Sequence, residues 1–196
     1  MVDENFDTIY RIDILSGKGS DEVAQLTWLA LGYNVPVNPS RNRVYVWRKL
    51  KEFGAGYFRP GVAILPKTVE SLSQFRSLSQ KIRDMGGESV MADLRYLETS
   101  DEQRTVHMFR EQSRNEYAEL RRDCASLVDS IRKNIFADHG VDSVRKVMRR
   151  YNKVKSRDYF KSGSSGEVVG LLDELAGDIA HSAGELSKQL RALLMD

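Results

Sequence analysis

The sequence predicts an α+β protein, a βαββαβ sheet module followed by a C-terminal helical extension of about three helices. Three observations carry that prediction. Short apolar runs of strand length alternate with helical periodicity between Leu26 and Tyr96. An Arg59-Pro60-Gly61 turn joins two of those runs directly. Beyond Ser100, every apolar stripe has helical spacing.

Leu26 to Tyr33 is an apolar run ended by Asn34-Val35-Pro36, and it reads as a buried strand. Pro39-Ser40 starts the next helix, with Ser40 the expected N-cap, and Gly54 stops it. Val44, Trp47 and Leu50 recur on that helix at three-residue spacing. Trp47 and Leu50 are therefore expected beneath the helices with Leu72, Phe75 and Ile82. Gly56-Tyr57-Phe58 and Val62-Ala63-Ile64-Leu65 are the arms of a hairpin. Thr68 can cap a second helix, whose apolar face is Val69, Leu72, Phe75, Leu78 and Ile82 and whose end is Gly86-Gly87. Ser89 begins a last strand running to Tyr96. Strand, helix, strand, strand, helix, strand is the split βαβ order of a ferredoxin-like fold.

From Ser100 to Phe136 the positions Val106, Phe109, Tyr117, Leu120, Cys124, Leu127, Ile131 and Ile135 make one helical stripe, with Ser113 a polar gap in it. Asp138-His139-Gly140 breaks that helix. Val144, Val147, Tyr151 and Val154 mark a second one reaching about Tyr159. Ser162 to Gly166 reads as a flexible link, and Val168 to Leu193 as a final amphipathic helix. The expected organisation is a loose arm over 1–23, the sheet module over 24–97, a helical extension over 98–161, and the link with its helix over 162–196.

A hydrophobic fraction of 41% with 30% charged residues is ordinary for a folded globular chain. No apolar run approaches the roughly 20 residues of a membrane span. The opening Met1-Val2-Asp3-Glu4-Asn5 lacks the basic and apolar regions of a secretory signal. The single Cys124 can form no internal disulfide, so a reducing, cytoplasmic setting is expected. A net charge of +2 says little about partners, but its distribution says more. The first 25 residues are acidic, Val141 to Lys161 is strongly basic, and the tail after Gly166 is acidic again.

Two basic constellations are candidate DNA-binding sites. Arg41, Arg43, Arg48, Lys49 and Lys51 decorate the first helix, where a solvated surface is an equal alternative. Arg145, Lys146, Arg149, Arg150, Lys153, Lys155 and Arg157 lie on the helix of the extension. There 145, 149, 153 and 146, 150, 157 form two adjacent rows able to follow a phosphate backbone. Changing Arg149, Arg150 and Lys153 together should then flatten the salt dependence of DNA binding and leave stability nearly unchanged. The alternative is a match to an acidic protein surface or to the chain's own acidic ends. Nothing points to catalysis or to a cofactor. His107, His139 and His181 lack metal-ligand spacing, and Cys124 falls on an apolar face as a small core residue. Gly17-Lys18-Gly19-Ser20 is too short for a phosphate loop.

The segments Tyr33-Asn34-Val35-Pro36, Pro39-Ser40, Arg43-Val44-Tyr45-Val46-Trp47-Arg48-Lys49-Leu50-Lys51 and Gly61-Val62-Ala63-Ile64-Leu65-Pro66 carry a resemblance. So do Gly86-Gly87-Glu88 and Glu116-Tyr117-Ala118-Glu119. Over roughly Leu26 to Ser130 the chain resembles the N-terminal domain of the chromate resistance protein ChrB family. The resemblance implies a DNA-binding transcriptional regulator tied to chromate resistance, and a homodimer formed through open sheet edges is expected. Family members carry a further C-terminal domain for the oxyanion, and the residues after Lys161 do not resemble it. In fold the module is also similar to the middle domain of PaaX repressors and to small CRISPR-associated ferredoxin-like nucleases. Those nucleases place a metal-binding aspartate where this chain has Asn34, a neutral and weak ligand for a hard cation, so no nuclease activity is expected.

Overall fold

Among the described residues, the apolar runs between Trp28 and Leu94 form strands, and those from Thr99 onward are helix or short connection. The computed structural model describes residues 26–132, 140–163 and 165–179. The expected arm, the Asp138-His139 break and the last helix beyond Ile179 lie outside the described residues. The chain runs β1 (Trp28–Asn34), α1 (Ser40–Phe53), β2 (Gly56–Arg59), β3 (Val62–Pro66), α2 (Val69–Asp84) and β4 (Glu88–Leu94). It continues with α3 (Thr99–Arg132), α4 (Gly140–Ser156) and α5 (Ser165–Ile179). The architecture is mixed α+β, with one four-stranded antiparallel sheet in the order β2-β3-β1-β4. Two compact units divide the chain, Met1–Gln103 and Arg104–Asp196.

In the first unit, Leu29 pairs with Leu65 and Asp93, and Leu31 with Ala63 and Met91. These residues share a sheet face with Ser89, which accepts from or donates to Ser79 of α2 at 2.9 Å. The alternate face carries Trp28, Ala30 and Gly32 opposite Leu94, Ala92 and Val90. Trp28 is fully buried there. Its ring meets Tyr96 edge-on at 5.9 Å, and its indole Nε1–H donates to Glu102 Oε1 at 2.9 Å. The hairpin turn needs Gly61, whose φ of 77° is a left-handed value that a side chain would strain, and whose carbonyl accepts from Tyr33 N at 2.7 Å.

Helix α2 begins as the sequence predicts. Thr68 accepts from Ser71 N while the Ser71 hydroxyl accepts from Thr68 N, a reciprocal cap. Phe75, Leu78 and Ile82 are buried, each such side chain contributing about 1.5–3 kcal/mol. Helix α1 corrects two expectations. Its N-cap is Pro39, with no side-chain cap, so Ser40 is already inside the helix. Trp47 lies outside the core, 52% exposed, as does Val44. Residues at strict three-residue spacing retreat by about 60° per step on a helix of 3.6 residues per turn. Val44, Trp47 and Leu50 therefore fan out over a wide arc, and only Leu50 reaches the core. The inward stripe is Val46, Leu50 and half-buried Phe53, at spacings of four and three. The buried tryptophan is Trp28.

The second unit is helical. Tyr117, Leu120, Cys124 and Val128 of α3 pack with Val144, Val147, Met148, Tyr151 and Val154 of α4 and with Val168 and Leu172 of α5. Gly140, expected as a breaker, is the first residue of α4. The expected link over Ser162 to Gly166 is shorter, because α5 starts at Ser165. Before it, Ser162 donates from its backbone N and its hydroxyl to the Asp158 carboxylate at 3.0–3.1 Å, and Phe160 meets Phe109 at 5.8 Å.

Candidate nucleic-acid interface

Helix α4 has one face committed to the core, which fixes where its cations point. With Val144, Val147, Met148, Tyr151 and Val154 buried, a 100° step puts Arg145, Arg149, Lys153 and Lys146 on the opposite, solvent side. Lys146, Arg149 and Lys155 are exposed and have no ion-pair partner among the described residues. Arg145 keeps a loose contact with Asp142 at 3.7 Å. Lys153 is exposed on the same side, while Arg150 and Arg157 point elsewhere. Arg150 reaches across to Glu119 and Asp123 of α3, and Arg157 pairs with Glu116 at 2.6 Å with both side chains mostly buried. Two of the three residues of the second predicted row are thus spent within the unit. Glu116, Glu119 and Asp123 were the missed partners. Their i, i+3, i+7 spacing on α3 mirrors the i, i+7 spacing of Arg150 and Arg157, a signal present in the sequence.

Helix α1 carries the other constellation. Arg41, Arg43 and Arg48 are exposed with no partner among the described residues. Lys49 pairs with Glu52 at 3.0 Å, which raises the lysine pKa, and the Lys51 ammonium lies 5.5 Å over the Trp47 ring. Between α1 and the end of β1 runs a groove of about 720 Å³. Arg43, Trp47, Asn34, Asn38 and Ser40 are among its lining residues. The first turn of α1 holds no acidic residue, so the positive end of the helix dipole faces this region uncompensated. Tyr33 also lines the groove. Burial, helped by Tyr57, pushes its hydroxyl up to about 12, so it stays a neutral donor at physiological pH.

The family model described as Protein ChrB, N-terminal, matches residues 43–192, well over half of the chain. The chain belongs to the ChrB family. No curated protein and no solved structure matches it. The ChrB match begins inside α1 and runs through the helical unit, so α4 and its cations belong to the ChrB domain rather than to an appendage. The resemblance read from sequence stopped near Ser130.

Other residues of this ChrB domain have structural places. Cys124 is fully buried, and that burial, with Asp123 beside it, pushes its thiol up to about 11; the Arg150 charge opposes only in part. A protonated, sealed thiol is a poor nucleophile. Burial likewise raises Tyr117 well above the usual phenol range, followed by the charge of Asp158. His107 is exposed, while His139 and His181 lie outside the described residues. Asn34 sits exposed at the end of β1, on the rim of the groove. Among the described residues no group of three or more His, Cys, Asp or Glu is placed to hold a metal, and no helix is long and apolar enough to cross a membrane.

Proposed function

We propose that this ChrB-family chain is a non-enzymatic DNA-binding regulator connected with chromate resistance, acting in the cytoplasm as a homodimer. The observation that carries the reading is the outward row of α4. Its apolar face is consumed by the core, while Lys146, Arg149 and Lys153 stand exposed on the other side. Such a row tracks phosphates, each neutralised phosphate releasing condensed counterions. The strand order β2-β3-β1-β4 supports the ferredoxin-like assignment of the sheet, and the neutral Asn34 amide supports the absence of nuclease chemistry.

The test is duplex binding measured across a salt series. Changing Lys146, Arg149 and Lys153 together to Gln should flatten the slope of log affinity against log salt by about 2–3, at about 0.9 per phosphate. All duplexes should weaken alike. Arg150 belongs outside this set, because its pairing with Glu119 and Asp123 would confound binding with folding. An unchanged slope in the triple variant, with loss of a protein partner instead, would replace this reading with that of an adaptor.

A further inference from the structure

We propose that the groove beside α1 holds an unpaired nucleotide of single-stranded DNA, its base stacked on Trp47 and its phosphates met by Arg43 and Arg48. This rests on the DNA-binding reading above but uses a different surface. Trp47 is a large apolar ring left 52% exposed on a helix whose own core face is complete without it. Lys51 covers part of the ring, yet Lys51 does not line the groove and Trp47 does, so indole surface remains available on the groove side. An aromatic platform beside cations is the chemistry that binds unpaired nucleotides, because every base offers a π-face and the backbone beside it a phosphate. A duplex hides those faces within its stack.

The rest of the lining fits the same occupant. Arg43 supplies a cation within the groove, and no carboxylate lines it. Arg41 and Arg48 stand exposed on the same helix. Asn34 and Asn38 each offer amide donors and an acceptor, and Ser40 a hydroxyl, the complement of a base edge. The volume of about 720 Å³ lies within the range of roughly 300–1,000 Å³ found for small-ligand sites, ample for one nucleotide.

The experiment compares wild type, Trp47→Ala and Trp47→Phe in the full chain. The probes are a ten-residue oligothymidylate, an abasic oligomer of equal length and charge, and a duplex. Oligothymidylate should quench the emission of exposed Trp47. Trp47→Ala should weaken its binding by about 5- to 150-fold, the range expected for one stacked base. Trp47→Phe should recover most of that loss. Affinity for the duplex and for the abasic oligomer should stay within about twofold in both variants. Equal binding of oligothymidylate by wild type and Trp47→Ala would overturn the proposal, as would equal wild-type affinity for the abasic and base-bearing strands. A matched loss on every probe would overturn it too. The two readings fail separately: an unaltered duplex slope in the α4 triple variant sinks the phosphate-tracking role, and Trp47-dependent oligothymidylate binding would survive that result.

Discussion

Trp28 and Glu102 should be energetically coupled, and a double-mutant cycle measures by how much. The indole N–H donates to the Glu102 carboxylate at 2.9 Å, with both residues buried and 74 positions apart in sequence. Trp28→Phe keeps an aromatic ring but removes the donor, leaving a buried carboxylate short of a partner. A hydrogen bond to a charged group contributes about 1.5–3 kcal/mol, and the smaller ring adds roughly 1 kcal/mol of lost packing. Glu102→Leu leaves the indole N–H unsatisfied instead, at about 1–3 kcal/mol. It also removes a carboxylate from the first turn of α3, where it favours the helix dipole. That last effect occurs in single and double variants alike, so it cancels in the cycle. The double variant should therefore be less destabilised than the sum of the singles by about 1–2 kcal/mol. Native-state hydrogen exchange of the β1 amides reads the sheet unit by itself, which matters in a chain of two units. Additivity within about 0.5 kcal/mol would refute the coupling and would mean that Trp28 acts through packing alone.

Three further outcomes can be checked with purified protein. Trp28→Ala should cost about 3–5 kcal/mol and Trp47→Ala less than about 1 kcal/mol by the same exchange measurement, against the core position that three-residue spacing gives Trp47. Gly87→Ala should cost about 1–3 kcal/mol, because a Cβ there would lie 2.5 Å from the Asn34 carbonyl oxygen and 2.9 Å from Ile82 Cγ2, and a lowered melting temperature would report it. Cys124 holds its proton in the folded state up to about pH 11 against an ordinary value of 9.0. Its contribution to stability is intact below pH 9 and is lost as pH rises towards 11. Urea midpoints at pH 8 and pH 10 should therefore converge in Cys124→Ala relative to wild type.

Features set by local chemistry were legible in the sequence. The Arg59-Pro60-Gly61 turn, the Thr68 cap and the α4 stripe of Val144, Val147, Tyr151 and Val154 each depend on residues within a few positions of one another. Helix phase was harder. Val44-Trp47-Leu50 and Val46-Leu50-Phe53 are both apolar series on the same fourteen residues, and only packing on the rest of the unit selects the second. The α4 cations divided for a similar reason. Arg149 and Arg150 are adjacent in sequence and alike in chemistry. A 100° step separates a solvent-facing side chain from one that meets carboxylates about thirty residues earlier. The groove was illegible because it forms between the end of a strand and a helix surface that sequence spacing had assigned to the core.

The two borders of the sheet are unequal, and that bears on how copies could join. Strand β2 is a border of four residues whose pairing with β3 slips between Tyr57 and Arg59, and Pro60 follows it at once. Such a kinked, short rim resists a further strand. On the far side β4 is seven residues long, pairs with β1 in unbroken register, and has no outer neighbour among the described residues. Two chains that met β4 to β4 would share one eight-stranded sheet ending in β2 on both sides. Both ends would resist a third chain, so accretion through such a sheet would stop at two rather than continue into a filament.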